Sequence, residues 1–86
     1  MSKAINLYLA QALAEFAVFI EFSGEDIIDP DAAAQAMEQL SASLQLADAD
    51  TKKSLCSQFK NVALNYSDDK KTFLNELGES LGLTEG

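Results

Sequence analysis

Three consecutive segments of the chain repeat apolar residues at intervals of three and four, which is the spacing of one helix face. The three sets are Ala33, Met37, Leu40 and Leu44; Leu55, Phe59, Val62 and Tyr66; and Phe73, Leu74, Leu77 and Leu81. Only short connections separate the segments, and an amphipathic helix has to bury its apolar face against another element. The pattern therefore predicts an all-α fold, a small antiparallel bundle with these three helices around one core.

Helix-start signals support this reading. Asp29 precedes Pro30, and Asp at a cap followed by Pro at the first helical position is a strong sign of a helix N-terminus. We expect this helix to end around Leu46. Asp48 and Asp50 then cap the next helix, and residues 67–69 open a last one, which Gly82 closes.

The segment before these three is more apolar than an ordinary surface helix. Fourteen of the 18 residues from Ile5 to Phe22 are apolar, and they fall on more than one face of a helix. A helix of this kind is normally surrounded by others. We therefore predict a first helix from about Ser2 to Phe22 in the centre of a four-helix bundle. The alternation of apolar residues over 16–22 leaves a strand as the alternative.

The same segment does not have the character of a membrane span or an export signal. Glu15 and Glu21 interrupt it, Lys3 is the only positive charge near its start, and no clear cleavage site follows. The chain has 86 residues, which is enough for one helical domain spanning 1–86. Its single cysteine, Cys56, cannot form an internal disulfide, so we expect a cytoplasmic protein.

The charge is unevenly distributed. Residues 1–51 contain nine acids and one lysine, whereas residues 52–86 contain five acids and five lysines, so the net charge of −8 lies in the first half. Five of the acids crowd into residues 21–31, which we call the acidic segment. This balance argues against a protein that binds nucleic acid by neutralising phosphates. Crowded like charges repel one another, and a basic protein partner would compensate for them.

Some of these acids have a structural explanation. Asp29 and Asp31 at a helix start interact favourably with the helix dipole, which leaves Glu21, Glu25 and Asp26 as surplus. Two isoleucines lie between Asp26 and Asp29, and their role can be interpreted in two ways. Ile27 and Ile28 either staple the loop to the core ahead of the helix, or at least one is an exposed apolar anchor ringed by acids. The charges by themselves therefore point to Glu21, Glu25 and Asp26 as partner-binding residues, with Ile27 or Ile28 beside them.

Catalytic chemistry finds little support. The chain contains no histidine, which removes most general-base arrangements and the commonest metal ligand. Glu21 and Glu25 lie four residues apart, but the other ligands of a helical metal site are missing. Cys56 has apolar neighbours on its helix, as an inert buried thiol does. We therefore expect no enzyme, no cofactor and no metal.

The stretch from Phe19 to Ala33, followed by Met37, Leu40 and Leu44, resembles a pattern in small acidic bacterial immunity proteins. The resemblance implies a cytoplasmic protein that binds a cognate toxin delivered by a competing cell. It further implies a surface that blocks a basic active-site cleft of that toxin, with Ile27 or Ile28 as an anchor. The acids of that surface would be Glu21, Glu25, Asp26, Asp29 and Asp31. Two other readings stay open. One is a homodimeric structural or regulatory subunit that buries its first helix, and the other is a nucleic-acid mimic that binds a basic protein.

Overall fold

Five helices make up the part of the chain that the computed structural model describes, residues 6–84. They are α1 (Leu7–Phe22), α2 (Pro30–Gln45), α3 (Ala49–Ala63), α4 (Asp68–Asn75) and α5 (Leu77–Ser80). Residues 6–84 contain no strand, so the strand reading of 16–22 is wrong and the all-α prediction is confirmed. Ser2, near which we expected the first helix to start, lies outside the described residues.

Side-chain caps define the starts of the three longest helices. The Asn6 side chain accepts a hydrogen bond from the Tyr8 N–H at 2.7 Å and begins α1. Asp29 accepts from the Ala32 N–H at 3.1 Å, with Pro30 in the first helical position. Asp48 accepts from the Thr51 N–H at 2.8 Å. The starts that Asp29 and Asp48 predict are therefore confirmed.

The core is centred on α3. Leu55, Phe59, Val62 and Ala63 on this helix are buried, and α3 contacts α1, α4 and α5. Phe59 is the largest of the fully buried side chains. The rest of the core consists of Ala10, Ala14, Ala17, Leu74, Leu77, Leu81 and Leu83.

The first helix does not occupy the centre, and this prediction is wrong. Its buried residues are Ala10, Ala14 and Ala17, whereas Phe16 and Phe19 are exposed. The three alanines lie on one side of α1 at spacings of four and three, and their small side chains let α1 approach α3 closely. Phe16 and Phe19 consequently point away from the core, whereas Leu13 and Val18 are partly buried against it.

The second helix buries less apolar surface against the core than α3 does. None of its residues is fully buried, and Met37, Leu40 and Leu44 are partly buried against the core. Two side chains near its C-terminus tie it to the end of the chain, because the Ser41 hydroxyl and the Gln45 amide both donate to the Leu81 carbonyl, at 2.8 and 3.0 Å.

The last predicted helix is broken in two, so the described residues form five helices where we expected four. Glu76 has φ −101° and ψ 0°, outside the helical region, and separates α4 from α5. Within α5, Gly78 packs on α3, where an added Cβ would lie 2.5 Å from Cys56 Sγ. Gly82 follows with φ +74°, a left-handed conformation that glycine adopts without strain. It ends the helical segment as predicted.

Candidate functional site

The acidic segment connects α1 to α2, and its first end is anchored by an aromatic pair. The ring of Phe22, the last residue of α1, packs edge-on against Phe73 of α4, with 5.5 Å between ring centroids and an 88° angle between planes. The Lys70 ammonium lies 5.8 Å from the centre of the same ring, within range of a cation–π attraction. These contacts hold the point at which the loop leaves α1.

A tight turn shapes the loop itself. The Gly24 carbonyl accepts hydrogen bonds from the backbone N–H groups of Ile27 and Ile28, at 2.9 and 3.0 Å. An added Cβ on Gly24 would lie 2.7 Å from a carboxylate oxygen of Asp26, which is the end of an exposed side chain that can move away. The backbone bonds fix which residues stand at the outside of the turn.

The second end of the loop is anchored by Ile28. This side chain is half-buried and lines a surface groove of about 440 Å³ together with Ile20, Ala33 and Met37. Ile28 directly precedes the cap residue Asp29, and Ala33 is the fourth residue of α2, so the two occupy the positions of a hydrophobic staple. Of the two isoleucines, Ile28 therefore has the position that the staple reading requires.

The two acids at the start of α2 have structural surroundings. Asp29 is the N-cap, and Asp31 lies in the first helical turn, where the helix dipole favours a negative charge. Both are exposed. These positions agree with the sequence-based interpretation that both acids interact favourably with the dipole of α2.

The outer part of the turn carries Glu25, Asp26 and Ile27, which we call the loop tip. Ile27 is 65% exposed, and both acids are exposed. Neither acid has a hydrogen-bond or ion-pair partner among residues 6–84, and the same holds for Glu21 in the last turn of α1. The structure thus separates the predicted site residues into an anchor (Ile28), two acids at a helix start (Asp29, Asp31) and free groups (Glu21, Glu25, Asp26, Ile27).

A second exposed surface was not among the predicted site residues. Tyr8, Leu9, Ala12, Phe16 and Phe19 lie along one side of α1 and are all exposed. We call this set the α1 face. The alanine spacing at positions 10, 14 and 17 was the available signal, because it marks the opposite side of the helix as the one that packs closely.

The surroundings of Cys56 do not resemble a nucleophile's. Burial raises the pKa of its thiol above the ordinary value, and the nearby Lys60 only partly opposes this effect. The thiol is therefore protonated at neutral pH, and a protonated thiol is a poor nucleophile. Within residues 6–84, no group of three or more histidine, cysteine or acidic side chains is placed to hold a metal ion. None of the helices described has the length and apolar character to cross a membrane.

Comparisons with protein-family models, with curated proteins and with solved structures find no match to this chain.

Proposed function

We propose that this chain is a cytoplasmic immunity protein that binds a basic protein toxin through the loop tip and blocks the toxin's active site. The single observation that carries the proposal is the state of the loop tip. Glu25 and Asp26 are exposed charges without partners among residues 6–84, and they directly precede an isoleucine that is 65% exposed on a loop anchored at both ends. Neither the two charges nor the isoleucine contributes visibly to the fold.

The charge of the surface selects the chemistry of the partner. The net charge of −8 belongs to the first half of the sequence, and the acidic segment is its densest part. A one-signed surface of this kind attracts an oppositely charged protein and accelerates the encounter. A toxin that cleaves or modifies an anionic substrate has a basic active-site cleft, and its positive charge is opposite to that of the acidic segment.

The anchored loop also supports tight binding. Association costs conformational entropy wherever a flexible segment has to become ordered. Phe22 on one side, Ile28 on the other and the two hydrogen bonds to the Gly24 carbonyl order this loop in the free protein. Ile27 then supplies the apolar anchor, since a few central side chains that lose contact with water provide most of the energy of an interface.

The experiment is an affinity capture from the source cells with three tagged forms of the chain as bait. They are the unchanged chain, Glu25→Lys with Asp26→Lys, and Glu38→Lys with Glu79→Lys. The last two change the net charge equally, and Glu38 and Glu79 are exposed acids outside the acidic segment. We expect a basic protein to be retained by the unchanged chain and by the Glu38/Glu79 form, and its retention to fall at least about 10-fold on the Glu25/Asp26 form.

Helical circular dichroism of each bait serves as the folding control. Adding the unchanged chain to the captured protein should also abolish that protein's enzymatic activity. Equal capture by all three baits would remove the loop tip as the binding surface. A captured protein whose activity survives in the complex would contradict the immunity role.

A further inference from the structure

The groove between the end of α1 and the first two turns of α2 combines apolar and acidic side chains, and we call it the α1–α2 groove. Ile20, Ile28 and Met37 are half-buried in its lining. Glu21 and Glu25 line the same groove and are exposed. Its volume of about 440 Å³ lies in the lower part of the range for small-molecule pockets, so it suits one long side chain and not a helix.

Glu21 has an unfavourable position for a charge that has no partner. It follows Ala17 at an interval of four and thus continues the side of α1 on which Ala10, Ala14 and Ala17 pack. It also lies in the last turn, where the negative end of the helix dipole disfavours a carboxylate and where no basic residue compensates for it. Glu21 has no hydrogen-bond or ion-pair partner among residues 6–84. A cation in the groove would remove this disadvantage.

Glu25 brings a second carboxylate to the same groove from the loop tip, and it too is without a partner among residues 6–84. A guanidinium group has five N–H donors in a plane and can bond two carboxylates at once. The carbon stem of an arginine packs on apolar surface while its charged end stays in water. A lysine ammonium is more strongly hydrated and more compact, so it matches two separate carboxylates less well. The lining is therefore complementary to arginine in charge and in polarity.

We propose that the α1–α2 groove binds one arginine side chain of the partner, with the guanidinium bonded to Glu21 and Glu25 and the stem on the apolar lining. The source of this arginine rests on the proposed function, in which the partner is a basic protein. The groove adjoins the loop tip, because Glu25 belongs to both. One surface of the partner can therefore contact the loop tip and insert an arginine beside it.

The test is a titration of the full-length protein with N-acetylarginine amide, followed through the isoleucine and methionine methyl groups by NMR. We expect a dissociation constant of about 1–10 mM, as for other ligands of this size, with the largest shifts at Ile20, Ile28 and Met37. The citrulline analogue has the same shape but no charge and should bind at least about 5-fold more weakly. The Nα-acetyllysine amide should bind about 3-fold more weakly than the arginine compound.

Two pairs of variants locate the site. Glu21→Gln should weaken binding of the arginine compound at least about 3-fold, the effect of losing an exposed ion pair. Glu38→Gln removes the same charge from an exposed position of α2 outside the groove and should leave binding unchanged. Ala34→Phe should fill the groove and abolish the shifts, whereas Ala32→Phe, at an exposed position outside the lining, should not. The NMR spectrum of each variant is its folding control.

Failure of this inference and failure of the proposed function give different results. The absence of shifts at the groove up to about 50 mM of the arginine compound would overturn the inference. Equal weakening by Glu21→Gln and Glu38→Gln would also overturn it, because the protein would then respond to net charge alone. Equal binding of the lysine compound would contradict the choice of arginine. Binding to the groove by a chain that captures no basic protein would contradict the toxin role alone.

Discussion

Asp29 and Asp26 lie three residues apart in the same acidic segment but have different roles. Asp29 accepts a hydrogen bond from the Ala32 N–H, and a cap of this kind stabilises a protein by about 1 kcal/mol. Asp26 has no hydrogen-bond or ion-pair partner in the described chain. A sequence rich in acids therefore contains structural and free charges side by side, and the cap motif before Pro30 is what allowed Asp29 to be assigned in advance.

Glycine positions can be distinguished in the same way. Gly82 has φ +74°, and an added Cβ would lie 2.6 Å from the amide nitrogen of Gln45, which donates to the Leu81 carbonyl. We expect Gly82→Ala to lower the free energy of unfolding by about 1–2 kcal/mol, because a left-handed conformation costs a residue with a Cβ about that much. Urea denaturation measures the change.

Gly24→Ala is the matched control for Gly82→Ala. The Gly24 backbone is not left-handed, and the atom that its Cβ would meet is the end of the exposed Asp26 side chain, which can move. We expect the control to change the free energy of unfolding by less than about 0.5 kcal/mol. Equal losses in the two variants would contradict the account of Gly82.

At the scale of the helices, the sequence was sufficient to predict where α2 and α3 begin, but not which side of α1 packs against the core. The number of apolar residues in α1 indicated a central position, and the structure gives the centre to α3. Apolar content does not say which side of a helix packs. In α1 the decision depends on how closely Ala10, Ala14 and Ala17 approach α3, which is a property of the tertiary structure.

The break between α4 and α5 could not be predicted for a related reason. Glu76 is not a helix-breaking residue, and the apolar spacing of the segment continues through it. The break accompanies a tertiary contact, in which Gly78 lies against Cys56 of α3 with no space for a Cβ. Tertiary packing here outweighs the local helix propensity, and the residue at position 76 gives no indication of the break.

The helices should also differ in how readily they open. α2 has no fully buried residue, whereas α3 has four and contacts three other helices. Local opening is easiest where few apolar contacts are buried. In native-state hydrogen exchange we expect amides in the middle of α2 to exchange at least about 10-fold faster than those around Phe59. Uniform protection of both helices would contradict this ranking.

The whole molecule carries two exposed surfaces on and next to α1. The α1 face runs from Tyr8 to Phe19, and the loop tip follows the end of the helix at residues 25–27. One surface is apolar and almost uncharged, and the other combines two acids with a single isoleucine. The two surfaces occupy different residues, so a substitution in one leaves the other unchanged.

The most direct test of the central claim is the rate at which the chain associates with the protein that it captures. Stopped-flow mixing at about 50 and 500 mM NaCl should show a rate constant that falls at least about 10-fold with salt, because surface charges steer the encounter. Glu25→Lys with Asp26→Lys should slow association at low salt, and Ile27→Ala should mainly accelerate dissociation. A rate constant that neither salt nor the charge reversal changes would contradict the assignment of the loop tip as the binding surface.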